Sequence, residues 1–321
     1  MSKLKDISKA TKLSMSTISR VLQNSRQVSE KNRIKVLKAA KELGYEVKSP
    51  REHNFILVNV PSYDDPFTDK ILNGIRTASK QLGYKLVLTL YEENSDIELV
   101  TNNINGLVAI VFIGSEILMN NNHTLPCIYV SNFSYKGDQS SVQIDNLTSA
   151  FNATEYLIKK GHRNIGQILG NKYSVLVKYN DQGFRQALHR YNITYNHAYN
   201  FEGDFDFKSG EDAMKYFLSL PERPSAIFCH SDRMAIGAMK YAEEVGVAVP
   251  QEISFIGFQD IPLSEYANPP LTTMDHSLYE MGSQAIKVLH SRLEGKQNIS
   301  DRNIISTTLI ERSSVFDFTQ K

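Results

Sequence analysis

The chain has 321 residues but only two cysteines, Cys127 and Cys229, with no CxxC pair. Each lies inside an apolar, strand-like run, so buried free thiols in a reducing compartment are the expectation rather than a disulfide. No stretch approaches about 18 consecutive apolar residues, and the first residues carry no apolar leader core. Neither a membrane span nor export is expected, and the location is expected to be cytoplasmic. HExxH is absent and the eight histidines show no metal-ligand spacing, so no metal site and no cofactor are expected. No GxSxG, GxxxxGK[ST] or GxGxxG follows any strand-like run, which removes the common enzyme classes built on α/β scaffolds. Residues 313–321 contain no leucine heptads, so no zipper-type tetramer is expected.

Net charge is also scarce, at +1, but the near-neutrality hides an asymmetry. Residues 1–51 contain 13 Lys and Arg against 4 Asp and Glu, and the remainder contains 23 against 31. A basic head on an acidic body points to a polyanionic partner for the head alone. With 41% hydrophobic and 22% charged residues, the composition is that of globular protein, and the length suits two or three domains.

The head is organised around residues 6–22. Ile7 and Ala10 stand three apart on a first short helix, Leu13 follows in a turn, and Ser14 is placed to cap the next helix. On that helix Ile18, Val21 and Leu22 form an apolar stripe, with Met15, Ser16 and Arg20 on the opposite face. Two short helices joined by a tight turn make a helix-turn-helix, whose second helix enters the DNA major groove. A third helix opens at Ser29, with Ile34, Leu37, Ala40 and Leu43 on one face and Gly44 as a stop. The head is assigned to residues 1–47 and a short polar linker containing Pro50 to 48–54.

From residue 55 onward, apolar runs at 55–60, 86–90, 107–113 and 127–130 alternate with helical stretches or loops. A second series follows: helix 147–160, strand 165–169, helices 182–191 and 208–218, strand 226–229, helix 232–245, strand 253–258, and a last run at 304–310. Near-continuous apolar strands between helices mean parallel sheets covered on both faces. The fold class is therefore α/β: a three-helix head plus a sensor, residues 55–321, of two parallel-sheet lobes with a ligand cleft beyond the strand ends.

The head motifs Thr17-Ile18-Ser19-Arg20-Val21-Leu22, Val28-Ser29-Glu30-Lys31 and Leu43-Gly44-Tyr45 resemble the lactose/galactose repressor family. So do Ile144-Asp145-Asn146, Gly161-His162-Arg163-Asn164-Ile165, Gly183-Phe184-Arg185-Gln186-Ala187-Leu188, Ser231-Asp232-Arg233-Met234-Ala235-Ile236-Gly237 and Pro269-Pro270-Leu271-Thr272-Thr273. The resemblance runs in order along nearly the whole chain. It implies a homodimeric transcription regulator, usually a repressor, that binds a palindromic double-stranded DNA operator and a small sugar effector, with no membrane role. It also implies a sensor like the periplasmic sugar-binding proteins. The lobes would comprise residues 55–157 with 275–303, and 158–273 with 304–321, crossed near Leu157, Thr273 and Ile304.

Several positions depart from the family. Thr11-Lys12 replaces the usual Ala-Gly of the turn, so Lys12 implies an extra phosphate contact or a turn without positive φ. The linker is shorter by roughly two helical turns and has no minor-groove hinge motif. Asn180 stands where a sugar-clamping Arg is usual, Ser231 replaces an Asn, and Gln259 an Asp.

For DNA, Arg20 can donate to guanine O6 and N7, or simply pair with phosphate. Met15 and Ser16 occupy the family's specificity positions. Lys12, Ser14, Thr17, Ser19, Gln23, Ser29, Lys31 and Asn32 complete the expected DNA face, most of them as backbone contacts. For the effector, Phe67 matches the family's sugar-stacking ring, with a core phenylalanine as the alternative. Tyr63, Asp64, Asp145, Asn180, Phe205, Ser231 and Gln259 complete the expected cleft, while Asp232 and Asp260 are read as caps. Loss of charge at positions 180 and 259 favours a neutral sugar, and the resemblance at Gln259 points to a galactoside. His162 reads as structural, and His230 and His276 as structural or ligand-sensing. The acidic residues Glu92, Glu93, Asp96 and Glu98 read as solvated surface. A sugar-binding receptor without a DNA role is the alternative function, opposed by the basic head.

Overall fold

A computed structural model describes residues 3–22, 28–43, 54–62, 65–90, 101, 103–114, 125–131, 140–295 and 302–320. The head consists of α1 (Lys3–Thr11), α2 (Met15–Leu22) and α3 (Glu30–Glu42). Its small core joins Ile7, Ile18, Val21, Val36, Ala39 and Ala40. Ser14 caps α2, its hydroxyl accepting from Thr17 N at 3.1 Å. On α3 two of the four expected positions face the core, Ala40 buried and Leu37 packed against it, while Ile34 and Leu43 are exposed and Val36 and Ala39 turn inward in their place. Small alanines let three short helices approach closely, which larger residues at those positions would prevent. Lys12 adopts φ +54°, so the turn keeps the left-handed conformation normally left to glycine.

The sensor contains two six-stranded sheets. In the first the spatial order is β11-β5-β4-β3-β1-β2, from β1 (Asn54–Val60), β2 (Tyr84–Leu90), β3 (Leu107–Ile113), β4 (Cys127–Val130), β5 (Ser140–Ile144) and β11 (Arg302–Ile305). The second runs β12-β10-β9-β8-β6-β7, from β6 (Ile165–Leu169), β7 (Asn200–Glu202), β8 (Ala226–Cys229), β9 (Ser254–Gln259), β10 (Thr272–Asp275) and β12 (Thr308–Ile310). Pairings are parallel throughout except β10 with β12. β3 is buried along its whole length, as an apolar run inside a covered parallel sheet must be. The expected linker 48–54 lies outside the described residues except Asn54, which already pairs in β1. Both cysteines are buried and neither forms a disulfide.

Helices α4 (Pro66–Leu82) and α10 (Leu278–Leu293) pair on the first sheet, and the one-turn α9 (Leu263–Tyr266) follows β9. Their approach depends on Gly74 and Gly282, since a Cβ would fall 1.9 Å from Tyr279 O and 2.1 Å from Ile71 O respectively. The second sheet carries α5 (Asn146–Lys159) against α6 (Val175–Arg190), and α7 (Phe207–Ser219) against α8 (Asp232–Glu244). Here the structure corrects the sequence reading twice. The first crossing follows Ile144, not Leu157: α5 packs on α6, β8 and β10 and so belongs with the second sheet. Helix α6 starts at Val175, seven residues before the expected Gln182, because Val177 is buried and extends its apolar face. The other crossings lie between β10 and α10 and between β11 and β12, which divides the expected run 304–310 between the two sheets. One apolar cluster runs through these seams, from Ile56, Ile75 and Leu289 to Phe184, Phe228 and Phe258.

Candidate functional sites: a DNA-reading face and an interlobe cleft

On α2, burial of Ile18 and Val21 against α1 and α3 turns Met15, Ser16 and Arg20 outward, and Met15 is 43% exposed. Lys12, Ser14, Ser29 and Lys31 are exposed as well, and Thr17, Ser19 and Asn32 half-buried. Gln23 lies outside the described residues. Ser14, Ser16 and Thr17 share hydroxyl hydrogen bonds of 2.9 and 2.8 Å, which hold the start of α2 in one arrangement.

The second site is a cavity of about 660 Å³ where the two lobes face each other. Phe67, Asn180, Phe205, Ser231 and Gln259, five of the expected effector residues, line it together. Phe67 is half-buried: it lines the cavity and also packs on the core edge. Phe205 adopts φ +62° and seats its ring over Gly170, where a Cβ would lie 1.9 Å from the ring Cζ. Ser131, Phe205 and Gln259 on the lining, and Asp260 and Ser277 beside it, are five of the seven non-glycine residues at positive φ among the described residues. Backbone strain of this kind is concentrated where surrounding structure enforces it at a site.

Three expectations are corrected. Asp145 is exposed and caps α5, accepting from Thr148 N at 3.0 Å and Thr148 Oγ1 at 2.6 Å, while its neighbours Ile144 and Asn146 line the cavity. Asp232 is not a cap, since Ser231 caps α8. Asp232 is wholly buried and accepts from Phe258 N (2.7 Å), Ile261 N (2.9 Å), Ser264 Oγ (2.6 Å) and Thr273 Oγ1 (2.6 Å), tying the cleft ends of β9 and β10 together. Asp260 likewise caps nothing: it receives Arg312 Nη2 at 2.8 Å and, from across the cleft, Lys70 Nζ on its carbonyl at 2.6 Å. Tyr63 and Asp64 lie outside the described residues.

Sequence reasoning missed Asp65, Asn146, Tyr173 and Arg233. Asp65 caps α4 through Phe67 N and Thr68 N, and also faces Arg233 Nη1 of the opposite lobe at 3.6 Å. The cap was legible in Asp65-Pro66 before a helical pattern, but the partner 168 positions away was not. Arg233 stacks over Phe207 at 5.1 Å. His230 and His276 are buried, and burial pushes both pKa values down to about 3, so both are neutral. Asn180 Oδ1, His230 Nδ1, Arg233 Nε and His276 Nε2 have no hydrogen-bond partner among the described residues. The cleft thus offers aromatic faces and uncharged polar groups, with Arg233 beside its acidic partner, which is the character of a small-molecule site. The described residues hold no His, Cys, Asp and Glu cluster suited to a metal, and no helix long and apolar enough to cross a membrane.

Comparison with known proteins bears on both sites. Residues 3–47 match the family described as bacterial regulatory proteins, lacI family, and residues 154–315 a periplasmic binding protein-like domain. The HTH-type transcriptional repressor CytR of Escherichia coli K12 is 36% identical, covering 97% of this chain and 95% of the relative. The ribose operon repressor of the same strain is 32% identical over 98% of this chain and 100% of its own length. The chain belongs to the LacI family. Family members are transcriptional regulators rather than enzymes, and effector-modulated DNA binding is their common mode. Among solved structures, a transcriptional regulator CelR–cellobiose complex superposes with a TM-score of 0.74 at 27% identity, covering 97% of this chain and 99% of that one. The lac repressor dimer bound to operator and the anti-inducer ONPF shares the fold, with a TM-score of 0.75 at 22% identity and 97% and 98% coverage.

Proposed function

We propose that the chain is a homodimeric cytoplasmic repressor of a sugar-utilisation operon, reading a palindromic operator with the outer face of α2. Its operator affinity is changed by a neutral sugar bound in the interlobe cleft. The observation that carries this reading is the cavity itself: five expected residues converge on it, its histidines are neutral, and Arg233 faces Asp65. A phosphorylated or carboxylated effector would need an unpaired cation, whereas the charge of the lining Arg233 is met by Asp65 at 3.6 Å, leaving its Nε–H as a donor to a neutral group. Lys70–Asp260 and Arg233–Asp65 join the lobes, so a ligand that favours closure would strengthen both pairs and shift the orientation of the lobes. In a dimer that shift alters the spacing of the two heads. A galactoside is the first effector to test, followed by cellobiose and ribose, the sugars in the names of its relatives.

The test is fluorescence anisotropy with a palindrome whose half-sites lie about one helical turn apart, against scrambled DNA, with and without each sugar. Preference for the palindrome, changed by a neutral sugar, is expected. Sugar phosphates that act where neutral sugars do nothing would overturn the effector reading. Arg20→Ala is expected to weaken operator binding by roughly 1–3 kcal/mol. An equal loss on scrambled DNA would reduce Arg20 to a phosphate contact.

A further inference from the structure

Behind the cleft a polar relay runs from the surface to His230. Arg185 Nε donates to Asp181 Oδ2 at 2.8 Å, and Gln167 Nε2 donates to Asp181 Oδ1 at 2.6 Å and to Asn200 Oδ1 at 3.0 Å. Asn200 and Arg185 both hydrogen bond to the Tyr195 hydroxyl, the latter at 2.8 Å. Gln167 is fully buried, and its Oε1 meets His230 Nε2 at 3.2 Å.

The order of donors along this relay is fixed at one end. An ionised carboxylate only accepts, so Asp181 compels the Gln167 amide to present its NH2 outward and its carbonyl inward. A carbonyl cannot donate, so His230 carries its proton on Nε2. With the ring neutral, Nδ1 is then a bare acceptor, and it has no partner among the described residues although His230 lines the cavity. Asn180, next to Asp181 on α6, adds a second buried acceptor, Oδ1, likewise without a partner there.

We propose that Asp181, outside the cleft, fixes His230 through Gln167 as a hydrogen-bond acceptor in the cleft wall, so that the site selects an effector bearing a donor at that point. Asp181 and Gln167 are positioning residues, and His230 is the contact. A hydroxyl or an N–H satisfies the position, whereas a carbonyl or ether oxygen placed there faces a lone pair and is rejected. The use of this acceptor by an effector rests on the cleft reading above, but the tautomer does not.

The test is a long-range 1H–15N spectrum of the full-length protein at neutral pH, with the His230 ring assigned by its loss in His230→Gln. Protonated Nε2 and bare Nδ1 are expected. In Asp181→Asn, Arg185 keeps the amide oxygen, the new NH2 turns toward Gln167, and the Gln167 amide inverts to donate to His230. The proton should then move to Nδ1. Should that variant fail to fold, Gln167→Leu takes its place, with a mixture of tautomers expected. A wild-type proton on Nδ1, or a tautomer indifferent to both substitutions, overturns the proposal.

The binding arm measures methyl galactoside, cellobiose and ribose by calorimetry. Each sugar is compared with its mono-O-methyl ethers, because a hydroxyl can donate to bare Nδ1 or accept from Nδ1–H, whereas an ether oxygen only accepts. The ether at the position facing His230 should bind the wild type at least about 10-fold more weakly than its parent sugar, and that discrimination should vanish in Asp181→Asn. Equal discrimination in both proteins despite an inverted tautomer overturns the selectivity claim. If none of the three sugars binds the wild type, the sugar reading fails, and the spectrum still decides the tautomer.

Discussion

The two walls of the cleft differ in chemistry. The first lobe contributes Pro61, Phe67, Gly114, Ile144 and Met281, with Ser62, Asp65 and Ser131 as its polar groups. The second contributes the amides Asn146, Asn171, Asn180 and Gln259 with His230, Ser231 and Arg233, set among Tyr173, Leu176, Phe205 and Phe258. Its polar groups are held from behind: Asn180 by α6, Ser231 by its cap, His230 by Gln167, and the turn at Gln259 by the four hydrogen bonds of Asp232. Most of the polar groups that can specify a ligand therefore stand on the second wall, while the first mainly covers it. Preorganised polar groups define which ligand fits, because a mismatched partner leaves them buried and unpaired. An apolar face adds affinity with little discrimination.

Acid should expose this division most strongly. His162, His230 and His276 lie in or beside the second lobe, and burial lowers their pKa values to about 4, 3 and 3. The unfolded chain takes up protons near pH 6.5, where the folded chain does not, so stability is full above that pH and is lost as pH falls toward about 4. At pH 5 the loss is about 2 kcal/mol for each histidine. Hydrogen exchange should show amides of 165–275 losing protection before those of 54–113. First-lobe amides opening first would contradict the comparison.

Asp232→Ala comes next, leaving two amides and two hydroxyls without their acceptor. Chemical denaturation should register a loss of roughly 3–5 kcal/mol. A loss below about 1 kcal/mol would mean that the second wall is not preset by this carboxylate. Smaller again is the contrast between walls in ligand binding. Asn180→Leu should weaken the bound sugar by roughly 10- to 100-fold, and Phe67→Ala by roughly 2- to 10-fold. Calorimetry giving the reverse order would assign specificity to the first lobe. The interlobe pair is expected to matter least: Arg233→Gln should lower sugar affinity by less than about 5-fold, with the difference gone at about 1 M salt. A difference that survives high salt would make Arg233 a direct ligand contact.

Much of this was legible in the chain because it rests on local pattern. The Ile18, Val21 and Leu22 stripe fixes which face of α2 is free, and Ser14 caps that helix by adjacency. Runs such as β3 announce buried parallel strands by composition. The α3 face was half misassigned because Ile34 and Leu43 outrank alanine in hydrophobicity, whereas close packing of short helices selected Val36 and Ala39 beside the expected Ala40. Asp145 was misassigned because a family position names a place near the cleft and not a direction, and local capping turned this carboxylate away.

The order of elements, the basic head, the exposed face of α2 and the two-lobed α/β architecture were therefore set by sequence, since each depends on periodicity, charge or short-range capping. Tertiary structure alone decided that α5 lies with the second sheet, that Asp232 anchors the ends of β9 and β10, that Arg233 meets Asp65, and that Asp181 reaches His230 through Gln167. Those contacts join residues between 14 and 168 positions apart, and only packing brings such groups within hydrogen-bonding or ion-pairing reach.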